Sequence, residues 1–251
     1  IKANNDYYAP RIHYSYKVGI DTRAPHIAIL QKPYNSLNKR GPFNVISIVE
    51  DNMAVDTNQV YLHYWKSHVS PDSVKAQPSR LAHLFQASIS GDFMYGDTVF
   101  YYLSAQDLAA RPNYTASEVD TFVIGYEDFE HGVWAWQANE DSVWNVADEE
   151  PFNGAFSLAD SSHGLPASDS TVTLTLKTPL DLSRTDYALL TFWSRNMLRV
   201  GKDFGYVELS ADSGQTWQQV AKVKNLKPKW KQIVVPLGSF SGPGFDNVLL
   251  R

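Results

Sequence analysis

Residues 96–107 read Gly96-Asp97-Thr98-Val99-Phe100-Tyr101-Tyr102-Leu103-Ser104-Ala105-Gln106-Asp107. Side chains on an extended strand alternate between two faces. Val99, Tyr101 and Leu103 therefore share one face and Phe100 and Tyr102 the other, and a strand apolar on both faces is predicted to be central in its sheet. Val60, Leu62 and Tyr64 alternate in the same way with Tyr61, His63 and Trp65. Val172, Leu174 and Leu176 alternate instead with Thr171, Thr173 and Thr175, one apolar and one hydroxyl face, as in a half-buried strand. Further strand runs lie near 26–31, 43–50, 82–89, 116–124, 187–195, 205–210, 216–223 and 230–237, separated by Gly, Pro, Asn and Asp. No segment sustains apolar residues at helical spacing for three turns between credible caps. The chain is predicted to be all-β, built of antiparallel β-sandwiches.

At 251 residues it is long enough for two such units, and a hydrophobic content of 43% gives each of them a core to bury. No apolar run reaches eighteen residues, so no membrane-spanning helix is expected. Cysteine is absent, which excludes a disulfide framework, a thiolate metal site and a cysteine nucleophile. The net charge of −5 is unevenly placed. Residues 1–124 hold 11 acids and 11 bases, and 125–251 hold 16 acids and 11 bases. Between Arg111 and Lys177 there is no Lys or Arg, yet twelve Asp and Glu. Such a stretch is the opposite of the clustered cations that nucleic acid requires. It suits either a solvated face or the surroundings of a cation.

The alternating run that closes at Ile124-Gly125, where the acidic stretch opens, marks the expected domain boundary. An earlier break is Asp21-Thr22-Arg23-Ala24-Pro25. The segment from Tyr14 to Pro25 resembles the last strand of one bacterial immunoglobulin-like repeat joined to the next by a D-T-x-A-P linker. The runs 42–50, 59–65 and 96–107 are similar to Ig/fibronectin-III-like modules of secreted bacterial enzymes, with Tyr101, Ala105 and Asp107 matching their Y-x-x-x-A-x-D turn. Downstream, Tyr126-Glu127-Asp128-Phe129-Glu130-His131-Gly132, Trp134, Trp136, Trp144, Asn153-Gly154-Ala155-Phe156-Ser157-Leu158 and the strands at 188–195 and 203–210 follow the order of a jelly roll. This series resembles the MAM-like module that accompanies immune inhibitor A metallopeptidases. The resemblances imply an upstream repeat end or linker at 1–20, an Ig-like domain at 21–124 and a jelly roll at 126–251. They imply an accessory region of a larger secreted or cell-surface bacterial protein, a hydrolase by family habit, whose partners are the other domains of its own polypeptide. The Ile at position 1 and the strand opening at Phe245 also suggest a piece of a longer chain.

The chemistry-bearing residues admit several readings. Asp128 and Glu130, two apart, would point to one side of an extended strand, and such jelly rolls often hold a structural calcium there, completed by the backbone near Asn153 and Ala155. The other reading is a solvated acidic face. Trp134, Trp136 and Trp144 are either core residues or a stacking platform for a glycan. Ser210-Ala211-Asp212-Ser213-Gly214-Gln215-Thr216-Trp217 fits the Asp-box pattern, in which Asp212 accepts amide hydrogens across a hairpin, Gly214 takes positive φ and Trp217 returns to the core. The seven histidines never fall at metal-ligand spacing with a nearby acid, and no His-Glu-x-x-His, Gly-x-Ser-x-Gly or phosphate-binding loop is present. The lysines at 222, 224, 227, 229 and 231 read as a charged edge. The expected role is a non-catalytic spacer with a binding or stabilising function. The alternatives are an adhesin or carbohydrate-binding module that contacts a glycan or cell-surface protein, and domains that shape the cleft of a secreted peptidase.

Overall fold

The structure is a computed structural model and describes residues 20–139, 144–160, 171–224 and 227–251. The expected upstream strand at 14–19, His13, His163 and the acids Glu140, Asp141 and Asp169 lie outside the described residues. The chain is all-β, in antiparallel sheets, with one short 3-10 turn at Gly238–Phe240 among the described residues. The strands run β1 (His26–Gln31), β2 (Phe43–Glu50), β3 (Tyr61–Lys66), β4 (Asp72–Lys75), β5 (Gln77–Pro78), β6 (Leu84–Ile89), β7 (Thr98–Gln106), β8 (Tyr114–Ala116) and β9 (Asp120–Val123). They continue as β10 (Trp136–Ala138), β11 (Asn145–Ala147), β12 (Ser157–Ala159), β13 (Leu174–Leu176), β14 (Leu189–Asn196), β15 (Gly205–Ser210), β16 (Gln218–Val223), β17 (Lys227–Pro236) and β18 (Leu249–Leu250).

Two compact units emerge. The first comprises segments within Ile1–Pro33, Pro42–Ser90 and Phe100–Thr121. Its strands belong to two sheets, β1-β2-β6-β5 and β4-β3-β7-β8, with β9 also paired to β7. β3 and β7 are the interior strands of the second sheet, as their two apolar faces predict. Leu62, Tyr101 and Leu103 are buried on the inner face, the two leucines contributing about 1.5–3 kcal/mol each. The other face is an aromatic ladder: Trp65 stacks on Phe100 at 5.5 Å and His63 on Tyr102 at 4.6 Å. His63 Nε2 also lies 2.8 Å from Ser104 Oγ, and burial lowers the imidazole pKa, so this histidine is a packed side chain.

The second unit comprises Tyr34–Gly41, Gly91–Val99 and Phe122–Arg251. It therefore draws in two segments from the span read above as the first domain. Its sheets are small: β10-β13, β11-β12, β14-β17 and β16-β15-β18. Leu176, Leu182, Leu209, Val235, Leu237 and Val248 form its core, and Leu37 and Tyr95 from the two short segments pack against it.

Candidate functional site

The segment that carries Asp128 and Glu130 is not a strand. Glu127 Oε1 accepts the Phe129 amide at 3.1 Å and Asp128 Oδ1 accepts the Glu130 amide at 3.1 Å. These bonds close the backbone into a turn with Phe129 at φ 62°, and the same-side expectation for an extended pair is corrected. The two carboxylates serve different neighbours. Asp128 Oδ2 accepts Asn35 Nδ2 at 2.8 Å. Glu130 Oε1 accepts the amides of Ala155 and Phe156 at 2.9 and 3.0 Å. Glu130 does reach the turn at Asn153 and Ala155, but that turn meets it with amide hydrogens rather than the carbonyl oxygens a cation takes.

Tyr34, Asn35, Leu37, Glu127, Asp128 and His131 border a cleft of about 220 Å³ within the second unit. Tyr34 stacks on His131 at 4.5 Å. Burial raises the Glu127 carboxyl pKa, against the Phe129 amide, which favours the charged form. A half-buried acid in a cleft is where general acid chemistry is sought. Its neighbour Asp128 is occupied by Asn35.

The three tryptophans have separate fates. Trp134 sits in a turn and is 77% exposed, Trp136 opens β10 and packs on the second core, and Trp144 is half-buried before β11. Trp134 and Trp136 do not share a strand, because β10 starts only at Trp136. The exposed aromatic stack lies elsewhere: Phe152 covers Trp193 at 3.9 Å, with Trp230 edge-on at 6.0 Å and Arg195 above the Trp230 ring. Neither Phe152 nor Trp193 has a sequence pattern that singles it out.

The Asp-box hairpin forms as its residues predict. Asp212 Oδ1 accepts the Thr216 amide at 2.8 Å and the Ser210 hydroxyl at 2.7 Å, and Asp212 Oδ2 accepts the Thr216 hydroxyl at 2.5 Å. These donors hold the Asp212 carboxyl down at about 2. Gly214 takes φ +85°, and the Trp217 indole donates to its carbonyl at 3.1 Å. Trp217 stays half-buried, with the Arg251 guanidinium 4.1 Å above its ring. Lys222 likewise lies over Phe204 at 3.4 Å, so this lysine is spent on packing.

One further cluster was not foreseen. Among the described residues, Asp21, Asp51 and Asp107 each bring one carboxylate oxygen within 4.8 Å of the other two. All three belong to the first unit. Antiparallel pairing sets His26 at the start of β1 opposite Glu50 at the end of β2, which brings the chain before β1 and the chain after β2 to one end of the sheet. Asp107 follows β7 and bridges Val55, with the Asp56 amide donating to the Gln106 carbonyl and the Leu108 amide to the Ala54 carbonyl. Asn113 Nδ2 donates to Asp107 Oδ2 at 2.7 Å and to the Asp21 carbonyl at 3.2 Å, linking the remaining strand end.

No family model, curated protein or solved structure matches the chain.

Proposed function

We propose that this region is a non-catalytic spacer and stabilising or binding module of a large secreted or cell-surface bacterial protein of the hydrolase kind. The observation that carries the reading is how its ionisable groups are used. The carboxyls driven furthest down, Asp181 and Asp212, are each occupied by hydrogen bonds that fix a loop, from Lys39 and Ser183 in one case and from Thr216 and Ser210 in the other. A carboxylate committed to several structural donors is a staple, with no free proton to exchange near neutral pH. The test is turnover of casein and of aryl glycosides by the purified chain. Inertness supports the reading, and hydrolysis that disappears in Glu127→Gln overturns it.

A second reading, a glycan-binding module, is favoured by the exposed Phe152–Trp193 stack on the β14-β17 sheet. Aromatic faces complement the apolar face of a sugar ring. Retention on polysaccharide gels that is lost in Trp193→Ala with an unchanged melting curve would favour it.

A further inference from the structure

The carboxylates of Asp21, Asp51 and Asp107 are held by their own loops in a way that leaves specific oxygens over. Asp21 Oδ1 accepts the Arg23 amide at 3.1 Å and Asp51 Oδ2 accepts the Met53 amide at 2.7 Å. The opposite oxygens, Asp21 Oδ2 and Asp51 Oδ1, are shut off from solvent and receive no hydrogen bond. Asp107 is 1% exposed, and its two oxygens accept the amides of Ala109 and Asn113 and the Asn113 side-chain amide.

Desolvated carboxylate oxygens without a donor are costly, and like charges this close repel. Folded proteins relieve such a grouping with a cation or with shared protons. Among the described residues no Lys or Arg nitrogen pairs with any of the three. The donor set is all oxygen, from three separate loops, which suits a hard divalent ion rather than zinc or copper. Calcium takes oxygens at about 2.3–2.6 Å, so opposed ligands in its shell stand roughly 4.6–5.2 Å apart. Three oxygens within 4.8 Å of one another fit inside that shell.

We infer that Asp21, Asp51 and Asp107 form a calcium site that locks three loops of the first unit together. Asn113 is its positioning residue, since one side-chain amide ties Asp107 to the Asp21 backbone. This site is distinct from the turn at Asp128 and Glu130.

The experiment is calcium titration, by calorimetry and by thermal midpoint, on the whole chain after chelator treatment, with magnesium as comparison. Wild type is expected to bind calcium and to melt several degrees higher with it. Asp51→Asn keeps the acceptor for Met53 but removes one charge. It is expected to bind calcium at least tenfold more weakly, while melting no lower than wild type in chelator because repulsion is relieved. Glu130→Gln is expected to bind as wild type does. Asp21→Asn serves as the second variant and should behave as Asp51→Asn. The inference is overturned if wild type takes up no calcium, if both Asn variants bind it undiminished, or if Glu130→Gln alone abolishes binding.

Discussion

Lys39 Nζ donates to Asp181 Oδ2 at 2.7 Å and to the Asp181 carbonyl at 3.2 Å, from a site that leaves the lysine only 7% exposed. Its ammonium also lies 5.2 Å from the centre of the Tyr95 ring. A buried charge is tolerated because its partner is present, and removing either one leaves the other uncompensated. Asp181 is 27% exposed, so water softens the loss. Lys39→Met is expected to cost about 2 kcal/mol, less than a fully buried pair would. Urea melts monitored by tryptophan fluorescence measure it, and an unchanged midpoint would contradict the staple role of this pair.

The same pair predicts an acid response. Lys39 and Ser183 hold the Asp181 carboxyl down at about 2, below its usual value near 4. A depressed carboxyl contributes stability that is fully present above the unfolded pKa and is lost as pH falls through the folded one. The contribution, about 2 kcal/mol, should therefore be intact at pH 5 and drain away between pH 4 and pH 2. Asp181→Asn should flatten that part of the stability curve. If the variant and wild type lose stability in parallel over this window, the pair is not the cause.

The strands were readable because their signal is local. Alternation placed β2 at 43–50 and β15 at 205–210, where the structure has them, and the doubly apolar runs identified β3 and β7 as interior. The Asp-box was readable for the same reason, since every partner of Asp212 lies within four residues of it. What failed was the geometry of Asp128 and Glu130. The turn there rests on Phe129 at positive φ, a conformation that an aromatic residue does not announce. Trp134 and Trp136 part company for a related reason, because the turn at 133–135 ends just where β10 begins. The aspartate triad was out of reach altogether. Asp21, Asp51 and Asp107 are far apart in the chain, and only the pairing of β1 with β2 and the bridge from Val55 to Asp107 bring them to one place.

Gly154 and Glu130 should be energetically coupled. Gly154 has φ +69°, and a Cβ there would run into the Glu130 carboxylate that the Ala155 and Phe156 amides hold. Gly154→Ala is expected to cost about 1 kcal/mol for the backbone and about 1 kcal/mol more for the displaced carboxylate. In a Glu130→Ala background the obstruction is gone and only the backbone cost remains. A double-mutant cycle by denaturant unfolding would show this difference as a coupling of about 1 kcal/mol. Strict additivity would mean that the side chain swings aside freely and that the turn does not depend on it.

Trp134 and Trp136, two positions apart, are expected to respond oppositely to truncation. Trp136 packs against the core of the second unit on β10, paired with Leu176 on β13, and its loss opens space that the surroundings fill only in part. Trp136→Ala should cost about 3 kcal/mol. Trp134 is 77% exposed on its turn, and Trp134→Ala should leave stability within about 0.5 kcal/mol. An exposed indole that contributes nothing to folding is free to meet a ligand, so the pair also separates stability from binding. If Trp134→Ala lowers retention on a polysaccharide gel while its melting curve overlays wild type, Trp134 belongs to a contact surface. If it melts early, the indole is packed in solution, and the exposed turn described at 133–135 is wrong.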